Sequence, residues 1–168
     1  MRRLFAALFA LICVTAFADS PPSYAAFESK SANSKFFAKV DVIDRMGKPA
    51  PWEWKYQIQV FDVAATSKPL WISEYKYDGY SGGVLSNDGR YFVYVSFWFF
   101  DDGPIVYIYT KGGTKMYTAK DLRITAKGLN ESASHKLWLK GRGTYWPASG
   151  APIKFIINTE QGERSIDL

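Results

Sequence analysis

Residues 82–122 read GGVLSNDGRYFVYVSFWFFDDGPIVYIYTKGGTKMYTAKDL, and this stretch decides the fold class. It alternates between apolar runs and turn signals. Asn87-Asp88-Gly89 is a turn: the glycine tolerates positive φ, and the Asn and Asp side chains close local bonds. An apolar, aromatic run follows over 91–100, with Tyr91, Val93, Val95 and Phe97 on one side and Phe92, Tyr94 and Trp98 on the other. A strand apolar on both faces is covered on both, or carries a ligand or partner on one. Asp101-Asp102-Gly103-Pro104 breaks the run, because proline lacks a backbone N–H and glycine bends freely. Residues 105–110 form the next strand, and Lys111-Gly112-Gly113-Thr114 turns it back.

The same alternation extends outward. Phe36, Ala38, Val40 and Val42 share one face of a strand over 36–43. Trp54, Tyr56, Ile58 and Val60 alternate with Lys55, Gln57 and Gln59, the pattern of a half-buried strand. Over 70–77, Trp71, Tyr75 and Tyr77 oppose Leu70 and Ile72. A glycine-rich loop spans 78–83. A helical turn is expected over 119–125. Leu137 and Leu139 alternate with Lys136, Trp138 and Lys140, a loop covers 141–152, and 153–158 and 164–168 close as a hairpin. No segment keeps a helical period over three turns. The reading is all-β: an antiparallel sandwich or partly closed barrel forming a single domain over 35–168. The absence of βαβ alternation argues against an α/β fold.

The first residues carry an export signal. Arg2 and Arg3 precede a short apolar run, and Ala16-Phe17-Ala18 supplies a small-x-small cleavage pattern. The run is too short to span a bilayer. Ile12 before Cys13 does not fit a lipid-attachment site. Residues 1–18 are therefore expected to be removed, leaving no transmembrane anchor, a flexible arm over 19–34, and a periplasmic or extracellular protein. Cleavage leaves 150 residues, no cysteine and a net charge of +3. Such a chain holds together by its core without disulfides. The cations are scattered, whereas a nucleic-acid surface would concentrate them.

The run LSNDGRYFV, residues 85–93, resembles the strand-turn-strand unit of β-propeller blades. A propeller takes about four to eight blades, and one good copy is present; FIINTEQGERSIDL at the C-terminus is a faint echo of the hairpin that ends at Leu122. Over 84–122 the chain is similar to a group of uncharacterised exported bacterial β-proteins. These share a DGRY-type turn, an aromatic strand, an acidic-glycine loop, a Val/Ile/Tyr strand, a glycine turn and an Asp-Leu ending. The resemblance covers about a quarter of the chain and implies a secreted β domain. It brings no catalytic residues.

The residues themselves offer little catalytic chemistry. His135 is the sole histidine, no G-x-S-x-G elbow accompanies it, and it reads as a surface residue. One histidine and no mature cysteine leave zinc and copper without their usual ligands. Asp78, Asn87, Asp88, Asp101 and Asp102 sit in turns and offer hard oxygens for calcium, but Asn-Asp-Gly and Asp-Asp-Gly are also ordinary turn chemistry. The reading calls for no cofactor. Glu53, Glu74, Asp101 and Asp102 are the aromatic-flanked carboxylates a glycosidase would need in pairs.

Aromatics make up 17% of the chain, more than one core obviously needs. The leading expectation is a non-enzymatic secreted binding or structural module with an aromatic platform for a glycan or envelope component. Trp98 and Tyr80 flank its site, and Asp101 and Asp102 accept hydrogen bonds at the rim. The competing packing expectation puts Trp98 beneath the loop that follows strand 70–77. The alternative function is a carboxylate-dependent hydrolase acting on an envelope or extracellular polymer. A subunit of an envelope assembly would instead show a broad exposed apolar patch.

Overall fold

A computed structural model describes residues 23–80, 82–132, 135–145 and 154–168. The expected signal segment 1–18 lies outside them. The chain is all-β and its sheets are antiparallel meanders, each strand pairing with the next in sequence. Sheet A comprises β1 (Phe27–Lys30), β2 (Phe36–Asp44), β3 (Lys55–Asp62) and β4 (Trp71–Tyr75). Sheet B comprises β5 (Val84–Leu85), β6 (Phe92–Val95), β7 (Pro104–Thr110) and β8 (Gly113–Thr118). A two-stranded ribbon, sheet C, of β9 (Asn130–Glu131) and β10 (Lys136–Leu137) leads into sheet D: β11 (Leu139–Tyr145), β12 (Lys154–Thr159) and β13 (Gly162–Asp167).

The three larger sheets stack as layers with sheet B in the middle. One face of sheet B (Leu85, Phe92, Tyr94, Tyr109) packs with Ala38, Val40, Tyr56, Ile58, Val60, Trp71 and Tyr75 of sheet A. Its other face (Val93, Val106, Ile108) packs with Trp138 and with Phe155, Ile157 and Ile166 of sheet D. The two-faced apolar pattern of residues 91–95 is thus answered by two cores. The first core is rich in tyrosine, whose rings meet mostly edge to face at 5.0–6.3 Å between centroids, a favoured geometry for ring quadrupoles.

The DGRY turn fastens sheet B to sheet A. Ser86 Oγ donates to Asp88 at 2.6 Å and accepts from Tyr91 N–H at 3.0 Å, closing the turn on itself. The buried Trp71 Nε1–H of β4 donates to Gly89 C=O at 2.7 Å. Asn33 donates through its N–H to Asn87 Oδ1 and through its amide to Asn87 C=O. Gly89 has φ +70°, and a Cβ there would lie 2.7 Å from the Phe36 ring. Glycine is therefore required twice, for conformation and for the approach of two sheets.

Several expectations change. The arm expected over 19–34 contains β1, a full edge strand paired to β2. Leading into it, Tyr77 Oη donates to the Ser23 and Ala25 carbonyls. The strand expected over 91–100 ends at Val95. Ser96 N–H still reaches Ile105 C=O at 2.8 Å, but its hydroxyl turns to Trp98 C=O and its own carbonyl takes the Trp138 indole N–H. Past that point the chain leaves β7, and Trp98 pairs with Leu137 of the ribbon. Residues 119–123 form hydrogen-bonded turns, with Leu122 N–H reaching Thr118 C=O at 3.3 Å, and the expected helical turn extends no further. The loop expected over 141–152 begins as strand, since β11 runs to Tyr145; residues 146–152 of that expectation lie outside the described residues. Trp138, which alternation grouped with two lysines, is fully buried between sheets B and D.

Candidate functional site

Three segments build the site at one end of the stack. Beyond β4 the chain leaves sheet A through Lys76, Tyr77 and Asp78. Beyond β6 it turns at Ser96. The ribbon strand β10 is drawn alongside by the Trp98–Leu137 bridge and by Phe99 N–H donating to Lys136 C=O. These connections gather four rings. Tyr80 lies edge-on to Trp98 at 6.0 Å and 6.4 Å from Phe97. Phe97 meets Trp98 edge-on at 4.6 Å, and His135 stacks on Trp98 at 4.3 Å with planes 21° apart.

The structure brings Trp98 and Tyr80 into ring contact at 6.0 Å, which both the site and the packing expectation require. The two differ in exposure. Trp98 is only 4% exposed, and among the described residues its indole N–H has no acceptor. Tyr80 is half-buried, and Phe97 is 49% exposed. Trp98 also packs against the loop after β4, because Tyr80 belongs to that loop. It supports the ring group from beneath, while Phe97 presents the outer ring. Asp101 and Asp102 are exposed in the β6–β7 loop, next to the exposed Phe100.

Sequence reasoning missed three members. His135 is half-buried against Trp98, not a lone surface residue. Phe97 was assigned to a strand face that ends two residues earlier. Asp78 is offered by the sequence only as a turn residue with hard oxygens for calcium. Its carboxylate accepts the Tyr94 hydroxyl, at 2.6 Å to each oxygen, and the Tyr80 N–H at 3.2 Å. Burial pushes the Asp78 pKa up, and the bonds it accepts from Tyr94 and the Tyr80 backbone do not offset this. Burial, followed by the charge of Asp78, pushes the Tyr94 hydroxyl far above the ordinary tyrosine range. Asp78 thus anchors the loop that carries Tyr80 to the end of β6. The residue signal was its position directly after the buried Tyr75 and Tyr77, where a carboxylate needs partners.

The other chemistry that was considered is dispersed. Asp88 is engaged by Ser86 and Arg90 and Asn87 by Asn33, so these oxygens serve the intersheet turn. Among the described residues, no three His, Cys, Asp or Glu side chains gather as a metal site. Glu53 is exposed and pairs with Lys48 at 3.5 Å, and Glu74 is exposed on β4. These two and the Asp101–Asp102 loop lie on separate elements. A shallow groove of about 320 Å³ opens beside the β7–β8 turn, lined by residues including Tyr91, Ile108, Lys115 and Asp167. It shares no residue with the ring group.

By fold and site, the chain is an all-β protein of stacked antiparallel sheets with an aromatic cluster at one end. No protein-family model, curated protein or solved structure matches it.

Proposed function

We propose that this chain is a non-enzymatic binding module of the periplasm or extracellular space, and that its ring group takes a glycan or envelope fragment. The observation that carries the reading is the Tyr80–Phe97–Trp98 group: an exposed ring braced by a buried one, with exposed Asp101 and Asp102 following a few positions along the chain. A sugar's C–H face packs on an aromatic ring, and its hydroxyls donate to carboxylates. Asp101 and Asp102 are such acceptors. The indole N–H of Trp98 is buried, so Trp98 serves the site as a support beneath the outer rings. The roles differ by depth: Phe97 contacts the ligand, Tyr80 flanks it, and Trp98 holds both rings in place.

Calorimetric titration against a panel of oligosaccharides and cell-wall fragments tests this. Phe97→Ala should weaken binding about tenfold with little change in melting temperature. Trp98→Ala should lose binding and about 3–5 kcal/mol of stability together. Wild-type protein that binds none of the panel, or Phe97→Ala that binds as wild type does, overturns the assignment.

A further inference from the structure

The end of sheet A where β2 hands over to β3 is apolar where a solvated loop would be polar. Val42, Ile43 (53% exposed), Met46 (45%) and Trp52 (69%) all stay exposed there, and Trp52 is the most exposed large hydrophobic residue among those described. The loop holds them outward by its own bonding. Asp44 Oδ1 accepts Met46 N–H at 2.7 Å, and Lys48 N–H reaches Arg45 C=O at 2.8 Å. Met46 takes φ +53° at the tip of this turn. Pro51 opens a single 3₁₀ turn, Pro51–Glu53. The second tryptophan folds back: Trp54 Nε1–H donates to Lys48 C=O at 2.8 Å, with the Arg45 guanidinium over its ring at 4.8 Å. Tyr56 Oη donates to Pro51 C=O at 2.9 Å. One tryptophan of the Trp-Glu-Trp run is thus the prop and the other the protruding surface.

The chemistry of the tip selects its partner. Unbranched and β-branched aliphatic side chains do not stack on sugars but do enter acyl chains, and indole rings favour the boundary between headgroups and hydrocarbon. Arg45, Lys48 and Lys55 are exposed within and just beyond the tip. Asp44 and Glu53 keep their charges, Glu53 in an ion pair with Lys48 at 3.5 Å, so residues 42–55 carry a net charge of +1. The chain left after the expected cleavage carries a net charge of +3. An apolar tip flanked by a small excess of cations matches an anionic bilayer surface, where each unpaired lysine or arginine adds about fivefold to binding. Among the described residues no helix is long and apolar enough to cross a membrane, so the contact is with the surface.

We propose that the tip formed by residues 43–52 docks the protein onto an anionic lipid bilayer. Tyr56 pairs with Tyr75 at this end of sheet A, and Asp78, three residues further on, is bonded to Tyr94 near the end of β6. The docking tip and the ring group therefore share one end of the molecule, and docking turns the ring group toward the envelope. The proposal does not rest on what that group binds.

Hydrogen exchange read by mass spectrometry, on the full exported chain, tests this locally. Vesicles of phosphatidylglycerol with phosphatidylcholine should protect peptides covering residues 43–54, and pure phosphatidylcholine should protect them far less. Trp52→Ser with Met46→Asn should lose that protection and weaken vesicle binding about tenfold or more, with an unchanged melting curve; asparagine tolerates the positive φ. Lys55→Gln should weaken binding about fivefold. The proposal is overturned if anionic vesicles leave residues 43–54 unprotected, or if the Trp52/Met46 variant is protected like wild type. It is equally overturned if the Trp52/Met46 variant loses binding to an oligosaccharide while vesicles have no effect, which would make the tip a second sugar platform. Loss of oligosaccharide binding in Phe97→Ala leaves this result untouched, so the two readings fail separately.

Discussion

At the scale of single residues, burial raises the pKa of both aspartates that matter most, yet their net shifts are opposite. Asp88 is pushed up by burial, but the Ser86 hydroxyl, the Arg90 N–H and the Arg90 guanidinium together outweigh it and hold its pKa low. Asp78 has a hydroxyl and a backbone N–H as donors, and for it burial wins. A raised native pKa means the folded state holds the proton more tightly than the unfolded chain. The stability this group contributes is full below the ordinary carboxylate value of 3.8 and is lost as pH rises through the native value. Asp78→Asn cannot ionise and escapes that loss. Urea unfolding from about pH 3 to pH 7 should show the variant gaining on wild type as pH rises; a difference that stays flat, or moves against the variant, contradicts the assigned shift. Its place after Tyr75 and Tyr77 marks Asp78 as a carboxylate in need of partners, but not which partners. Its turn chemistry was legible, but its partner Tyr94 lies on another sheet, and pairing across sheets is invisible to periodicity. Gly83 is similar: its Cβ would fall 2.2 Å from the Phe92 ring, which a glycine-rich loop does not announce.

At the scale of elements, β6 is the instructive strand. Its two-faced apolar pattern correctly implied cover on both sides, but its length was overread by five residues. Alternation continues through Phe97 and Trp98, yet pairing with β7 stops because Ser96 spends its hydroxyl and carbonyl on Trp98 and Trp138. After the turn Phe97 points out, while Trp98 and Phe99 are buried on different sides: Phe99 in the core with sheet D, Trp98 against Tyr80 and His135. The strand's centre and end should therefore respond differently to a buried charge. Val93 is completely buried and Val95 half-buried. Val93→Asp should cost several kcal/mol, enough to abolish folding in a marginal domain, and Val95→Asp distinctly less. Denaturant titration of both variants measures the order; equal costs would mean that β6 extends beyond Val95 as a fully covered strand.

At the scale of the molecule, the stack makes stability a matter of neighbours. Sheet A touches sheet B, and sheet D covers sheet B's other face through Trp138, Phe155 and Ile157. Trp138→Ala should cost about 3–5 kcal/mol. In native-state hydrogen exchange the loss should appear first in β12 and β13 and last in β2 and β3, because layers that meet only their neighbours fail from the damaged interface. Uniform exchange across all three sheets would show one cooperative unit instead. The C-terminal echo of the hairpin ending at Leu122 has a counterpart here, since β7–β8 and β12–β13 are the closing hairpins of sheets B and D. The all-β class, the inward faces of β2 and β3 and the positions of the turns followed from the sequence alone. Period-two alternation and the φ demands of glycine and proline are local properties that a single chain segment displays. The order of the layers, the burial of Trp138, the end of β6 and the meeting of Tyr80, Phe97, Trp98 and His135 were decided only by tertiary structure. Each depends on residues far apart in sequence that compete for the same backbone groups and the same buried space.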